Sequence, residues 1–270
     1  MKMKGRLKMN YKFFVPDGNL MKREEFIEFY NNAYYQPEDN AKDNDKSVVH
    51  GLRRTERDEE GEIEILLKEG IKDKQDIIKI LCWKTGGKQT DDCTVTTSYN
   101  RFINISEFAE FAINSSVATE DDAVEALKTI MRTENIGFTY AVTLLHFISQ
   151  GRYPIYDKFA HIALLVIDSG SSFDCIIKDS ELQGKGRGKN RKVEIPSNID
   201  KNAADKNEKI KLAFEKYKEN YIMRINRIFN MNYGKGINSD RTVDRALWVY
   251  GHLFNDKQTN RDRIARIRSK

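Results

Sequence analysis

Asp157 is a carboxylate at a place where the sequence predicts the start of a helix. It follows Tyr153 and Pro154 and precedes the apolar pattern KFAHIALLVI, an order typical of a helix N-terminus. An ionised carboxylate in that position can stabilise a developing positive charge and orient an attacking water. Aspartate is also a favoured helix-capping residue. Because one side chain can fill both roles, the sequence leaves both open.

A short turn upstream of Asp157 could bind a phosphate. Asn135 and Gly137 separate two helical patterns, and Gly137 is expected to let the backbone turn sharply. The backbone amides of this turn then lie at a helix N-terminus and belong to Asn135, Gly137, Phe138 and Thr139. Such amides can bind one phosphate of a DNA strand whatever the DNA sequence. An ordinary pair of helices joined by a glycine turn is the alternative interpretation.

Residues 119–167 resemble the helix-hairpin-helix superfamily of base-excision DNA glycosylases, the class with an 8-oxoguanine glycosylase or endonuclease III-like core. Gly137 matches the second hairpin glycine, Ala141 the helix-packing alanine and Asp157 the catalytic carboxylate. Asn135 replaces the first hairpin glycine, and asparagine tolerates a left-handed backbone. The resemblance implies a glycosylase-like helical bundle that contacts the phosphate backbone and a flipped base of double-stranded DNA.

Thr139 departs from the pattern of that superfamily. It stands 18 residues before Asp157, where bifunctional members place the lysine that forms a Schiff base. A hydroxyl cannot form that imine, so the resemblance implies monofunctional hydrolysis of the N-glycosidic bond by water. A DNA-binding module without catalysis, from a mobile element or a defence system, is the alternative. A helical interaction protein that binds no nucleic acid is a third hypothesis.

A flipped base needs an aromatic or apolar slot. The candidates are Trp83, Tyr140, His146, Tyr156 and Trp248, each of which could equally belong to the core. Lys84 follows Trp83 and is interpreted as a solvated lysine at a helix C-terminus. Residues 244–252 resemble a terminal segment of bacterial proteins that share this glycosylase-like core. The resemblance implies that Asp244 and Arg245 could form a structural ion pair and that Trp248 could anchor the last helix. Three scattered cysteines exclude a four-cysteine iron–sulfur cluster, and we expect neither a metal nor another cofactor.

Apolar periodicity predicts an all-α fold. Helices are expected at 23–35, 76–84, 119–132, 138–149, 157–168, 208–230 and 241–254, with one tentative strand at 93–99. Asp73 is expected to cap the helix at 76–84, and Thr119 the helix at 119–132. The chain is divided into an N-terminal helical region (1–118), the hairpin and Asp157 helix (119–177), a flexible basic insertion (178–207), C-terminal helices that close the same bundle (208–256) and a basic tail (257–270). One or two helical lobes are compatible with this division.

Positive charge is concentrated in two segments. The chain has 46 Lys and Arg against 41 Asp and Glu, a net charge of +5. Residues 178–192 have six basic against two acidic residues, and residues 257–270 have six against one. Candidate DNA contacts in these segments are Lys185, Arg187, Lys189, Arg191, Lys192, Arg263, Arg266 and Arg268. Solvated linkers would have the same composition. We expect a soluble, cytoplasmic protein without membrane contact, and leave its oligomeric state open.

Overall fold

The computed structural model describes residues 11–14, 19–34, 54–170, 199 and 204–253. Most of these residues are helical, as predicted. The helices are α1 (Arg23–Tyr34), α2 (Arg54–Glu69), α3 (Lys74–Thr85), α4 (Ala109–Asn114), α5 (Glu120–Ile130), α6 (Phe138–Ile148), α7 (Lys158–Ser169), α8 (Lys206–Tyr217), α9 (Met223–Phe229) and α10 (Thr242–His252). Within the described residues, every helix is too short or too polar to cross a lipid bilayer.

The predicted helix starts are confirmed by their capping contacts. The Asp73 side chain accepts a hydrogen bond from the Asp76 amide at 3.0 Å and caps α3. Thr119 and Asp122 form a capping box at α5, in which each side chain accepts from the other residue's backbone amide. Such contacts satisfy amides that have no intrahelical acceptor. Polar residues just before apolar periodicity therefore located these helices correctly.

The helix predicted at 208–230 corresponds to α8 and α9, which follow one another without a break through a π-helical segment, Lys218–Ile222. Tyr217 and Tyr221 lie on either side of the start of this segment, and their rings stack at 5.8 Å. Their hydroxyls donate to the carbonyl oxygens of Pro154 and Ile155. Tyr217 at the end of α8 and Tyr221 in the π segment thus hold the loop that leads to Asp157.

Two small antiparallel sheets depart from the all-α prediction. One pairs β1 (Phe13–Phe14) with β2 (Leu20–Met21), and the other has the order β3 (Lys88–Asp91), β4 (Thr94–Thr96), β5 (Phe102–Asn104). The tentative strand at 93–99 is confirmed as β4. Its neighbours are two short, largely exposed strands, which show too little apolar alternation to be predicted.

The core joins α1 to α10, which also packs on α7. Phe26 and Tyr30 on α1 meet Tyr250 on α10 with ring centroids 5.0 and 5.1 Å apart. Gly251 allows α10 to approach α7 closely, because a Cβ there would lie 1.9 Å from the Phe159 carbonyl oxygen. These contacts place the start of α7, and hence Asp157, against α10.

Candidate functional site

The turn between α5 and α6 is made at Asn135. This residue has φ +64°, a left-handed conformation that asparagine tolerates better than most residues, and its side-chain amide donates to the Phe102 carbonyl oxygen at 2.7 Å. Gly137 has φ −88° and ψ 173°, which any residue can adopt. The expectation that Gly137 makes the sharp turn is therefore wrong. Asn135 makes it instead, in the left-handed conformation that asparagine was expected to tolerate.

The backbone of the α5–α6 turn ends in a helix N-terminus. Gly137 caps α6 without a side-chain hydrogen bond, and its carbonyl oxygen accepts from the amides of Tyr140 and Ala141 at 3.1 Å each. The amides of Phe138 and Thr139 precede this hydrogen-bond ladder. The Phe138 ring is buried and the Thr139 side chain is partly exposed. Phosphate binding by these amides stays a prediction.

The loop from Gly151 to Asp157 is tightly held. Gly151 has φ +83°, and a Cβ there would lie 1.9 Å from the Asn238 carbonyl oxygen. His146 Nδ1 lies 2.8 Å from the Tyr153 carbonyl oxygen, and because a carbonyl only accepts, Nδ1 carries the proton. Together with the Tyr217 and Tyr221 hydroxyls, these contacts fix the backbone on which Asp157 stands.

Asp157 caps α7 and pairs with a lysine. Its Oδ1 accepts from the Phe159 amide at 2.8 Å, and its Oδ2 lies 3.6 Å from Nζ of Lys84 at the end of α3. The side chains are 18% and 13% exposed, respectively. The interpretation of Lys84 as a solvated lysine is therefore wrong. Because this contact joins residues 73 positions apart, no local sequence signal announces it.

A cluster of buried charges lies behind this pair. Burial raises the pKa of Asp244, and the positive charges of Arg241 and Lys84 oppose that rise, whereas the negative charge of Asp157 adds to it. Arg241 is buried, makes a short contact with Glu60, and lies 3.3 Å from Asp244. Perturbed, buried charges of this kind are common at functional sites but also occur in structural networks.

The expected ion pair between Asp244 and Arg245 is absent among the described contacts. Asp244 pairs with Arg241 one helical turn before it, and Arg245 contacts Glu64 and Glu60 on α2. Adjacent residues on a helix point about 100° apart, so they seldom face one another, whereas positions three apart do. The prediction is wrong for this reason.

Two of the candidate base-pocket residues, His146 and Tyr156, belong to the core. Burial lowers the pKa of His146 to about 3, and its Nε2 has no hydrogen-bond partner within the described part of the chain. Burial raises the pKa of Tyr156, whose hydroxyl lies 3.3 Å from Nδ1 of His161. Neither ring is accessible to a base in this conformation.

The other pocket candidates, Trp83, Trp248 and Tyr140, are partly exposed, and each contacts a different part of the protein. Trp83 donates through its indole N–H to Glu60 at 3.0 Å, and the Arg241 guanidinium lies over its ring at 4.7 Å. Trp248 packs edge-on against Tyr34 at 5.6 Å, in agreement with an anchoring role for the last helix. Tyr140 faces the β4–β5 turn, where Tyr99 and Arg101 influence its pKa after the larger effect of burial, which raises it.

Other site predictions are not addressed by the structure. Lys185, Arg187, Lys189, Arg191, Lys192, Arg263, Arg266 and Arg268 lie outside the described residues. Within the described ranges, no group of three or more His, Cys, Asp or Glu side chains is placed to hold a metal ion. Comparison of the chain with protein-family models, with curated proteins and with solved structures finds no match. The resemblance to helix-hairpin-helix glycosylases therefore rests on residues 119–167 alone.

Proposed function

We propose that this chain is a DNA glycosylase-like protein that hydrolyses the N-glycosidic bond of a damaged or mispaired base, without cleaving the strand. The observation that carries the proposal is the placement of Asp157. Its carboxylate is partly exposed at the start of α7 and accepts a hydrogen bond from the Phe159 amide. It follows a helical hairpin whose second helix begins with the amides of Phe138 and Thr139, which precede the helix's own hydrogen bonds.

Each part of this arrangement has a role in the reaction. Loss of a base leaves positive charge on the deoxyribose, and a fixed carboxylate lowers the barrier by stabilising that charge. Oδ1 of Asp157 is engaged by the Phe159 amide, so Oδ2 is the oxygen that faces the sugar or the attacking water. Oδ2 faces Lys84 in the free protein. Catalysis therefore requires Lys84 to turn away, and a DNA phosphate offers its ammonium group another anion.

The second candidate is a non-catalytic DNA-binding module, and the Lys84–Asp157 ion pair favours it. An ammonium group 3.6 Å from Oδ2 offsets the negative charge that would stabilise a cationic sugar. Thr139 supplies no amine, and His146 and Tyr156 are buried. In this candidate the α5–α6 turn binds phosphate and Asp157 serves only as the helix cap.

Duplex binding at several salt concentrations separates both candidates from a protein that binds no nucleic acid. Phosphate contacts release counterions, so affinity should fall steeply as salt rises and should not depend on sequence. Removal of residues 257–270 should weaken binding and flatten the salt dependence. A chain that binds no duplex even at low salt contradicts both candidates.

A panel of duplexes with damaged or mispaired bases separates the two candidates from each other. The glycosylase proposal predicts abasic product from at least one of them. Thr139→Lys places an amine where bifunctional glycosylases have the lysine that forms a Schiff base. Borohydride should then trap a covalent DNA adduct if residue 139 faces the reacting sugar. The unmodified chain, in which Lys84 already lies beside Asp157, is the matched control. No product and no adduct would leave the binding module.

A further inference from the structure

The turn between β4 and β5 exposes two aromatic rings next to a basic side chain. Tyr99 is 79% exposed and Phe102 is 62% exposed. Arg101, between them, is also exposed. Rings of this size are normally covered in a folded chain, since each removes a large apolar area from water when buried. Their exposure within four consecutive residues indicates a contact surface.

Hydrogen bonds hold the backbone of this turn, whereas its aromatic side chains are exposed to solvent. The Thr97 amide donates to the Arg101 carbonyl oxygen at 2.9 Å, and the Arg101 amide donates to Oγ1 of Thr97 at 3.2 Å. Ser98 is tied to the end of α3, where its hydroxyl donates to the Thr85 carbonyl oxygen at 2.7 Å. Asn100 takes the left-handed conformation at φ +56°. A rigid turn presents its rings with little loss of entropy on binding.

The same turn touches the candidate phosphate site. Asn135, which makes the α5–α6 turn, donates to the Phe102 carbonyl oxygen at 2.7 Å. Tyr140, in the first turn of α6, is within the electrostatic range of Tyr99 and Arg101. The turn that carries the exposed rings therefore contacts the turn that leads into the amides of Phe138 and Thr139.

We propose that Tyr99 and Phe102 stack on an unpaired base of a DNA strand whose backbone phosphate is held at the α5–α6 turn. The inference rests on the proposed DNA binding and assigns it a preference for unpaired nucleotides. Every base has an apolar face that stacks on aromatic rings whatever its sequence. Arg101 supplies the positive charge that a neighbouring phosphate requires, which makes a nucleic acid a better occupant of this surface than an apolar protein face.

Affinity for two related duplexes tests the proposal. One is fully paired, and the other has a single unpaired nucleotide. We expect the full-length chain to bind the second about tenfold more tightly, in line with one base stacked on aromatic rings. The double variant Tyr99→Ala, Phe102→Ala should lose this preference and keep its affinity for the paired duplex. Tyr99→Phe should retain the preference, because stacking needs the ring and not the hydroxyl.

Two controls keep the result interpretable. Leu212→Ala and Ile237→Ala remove exposed apolar side chains elsewhere and should change neither affinity. In addition, 5-iodouracil at the unpaired position should photocrosslink to Tyr99 or Phe102, as mapped by mass spectrometry. Equal binding of the two duplexes by the unmodified chain, or an undiminished preference in the double variant, overturns the inference while leaving phosphate binding intact. Failure to bind either duplex overturns the proposed function with it.

Discussion

The ion pair between Lys84 and Asp157 should contribute measurably to the stability of the fold, and a double-mutant cycle can isolate its energy. Lys84→Met keeps the side-chain length and removes the charge. Asp157→Asn removes the other charge and retains a good helix cap. Because each single variant leaves one charge of a mostly buried pair without its partner, each should destabilise the fold, and the double variant should destabilise it by less than the sum of the two single effects.

The size of the coupling follows from the distance and the exposure. At 3.6 Å, two unit charges attract by about 1 kcal/mol in water and by about 5 kcal/mol at an effective dielectric constant of about 20. The pair is mostly buried, but the separation exceeds hydrogen-bond length. We therefore expect a coupling free energy of about 1–2 kcal/mol, between the values of surface pairs and of fully buried ones.

Urea unfolding of the four proteins in the cycle gives this coupling energy. The pair Lys79–Glu62, at 3.4 Å and with side chains 51% and 62% exposed, is the matched control. It also joins α3 to another element, and its exposure should limit the coupling to about 0.5 kcal/mol or less. If the two cycles gave equal couplings, or if Lys84 and Asp157 behaved independently, the argument that burial strengthens the pair would be refuted.

A change of pH and three further substitutions should have defined effects on stability. Burial lowers the pKa of His146 and of His161 from 6.5 to about 3, so unfolding takes up protons as pH falls. Stability should decline from pH 6.5 towards pH 3 by up to about 2.7 kcal/mol per unit, and a flat urea-unfolding profile would contradict this. His161→Phe should halve the decline, an effect absent if His161 is not buried in the neutral form. Gly251→Ala should lower the free energy of unfolding by about 3 kcal/mol or more, because its Cβ would clash with Phe159. Gly61→Ala, where a Cβ would have nothing within 4 Å, should instead stabilise α2 by about 0.5–1 kcal/mol. Equal melting temperatures of the two variants would refute the close approach of α10 to α7.

The sequence predicted the parts of the fold that depend on neighbouring residues. Asp73, Thr119 and Asp157 each cap the helix that follows, because a polar side chain before an apolar period satisfies the first amides locally. The short strand β4 was found for a similar reason, from its alternation. Such signals need no knowledge of distant elements.

The site was predicted less completely, because its contacts join distant elements. Lys84 reaches Asp157 only when α3 packs beside the start of α7, and nothing near either residue in sequence indicates it. Arg245 lies beside Asp244 in the sequence, but the fold directs it to Glu64. Burial of Tyr156 likewise depends on distant residues, Tyr217 of α8 and Tyr221 of the π segment.

The base-release activity of Asp157→Asn is the measurement on which the proposed chemistry depends. Asparagine preserves the shape of the side chain and the cap of α7, so the variant should still bind duplex DNA. If the carboxylate stabilises a cationic sugar, abasic product should form about 100-fold or more slowly than with the unmodified chain, in single-turnover reactions on the best substrate of the lesion panel. Equal rates of base release by the two proteins would contradict catalysis by Asp157.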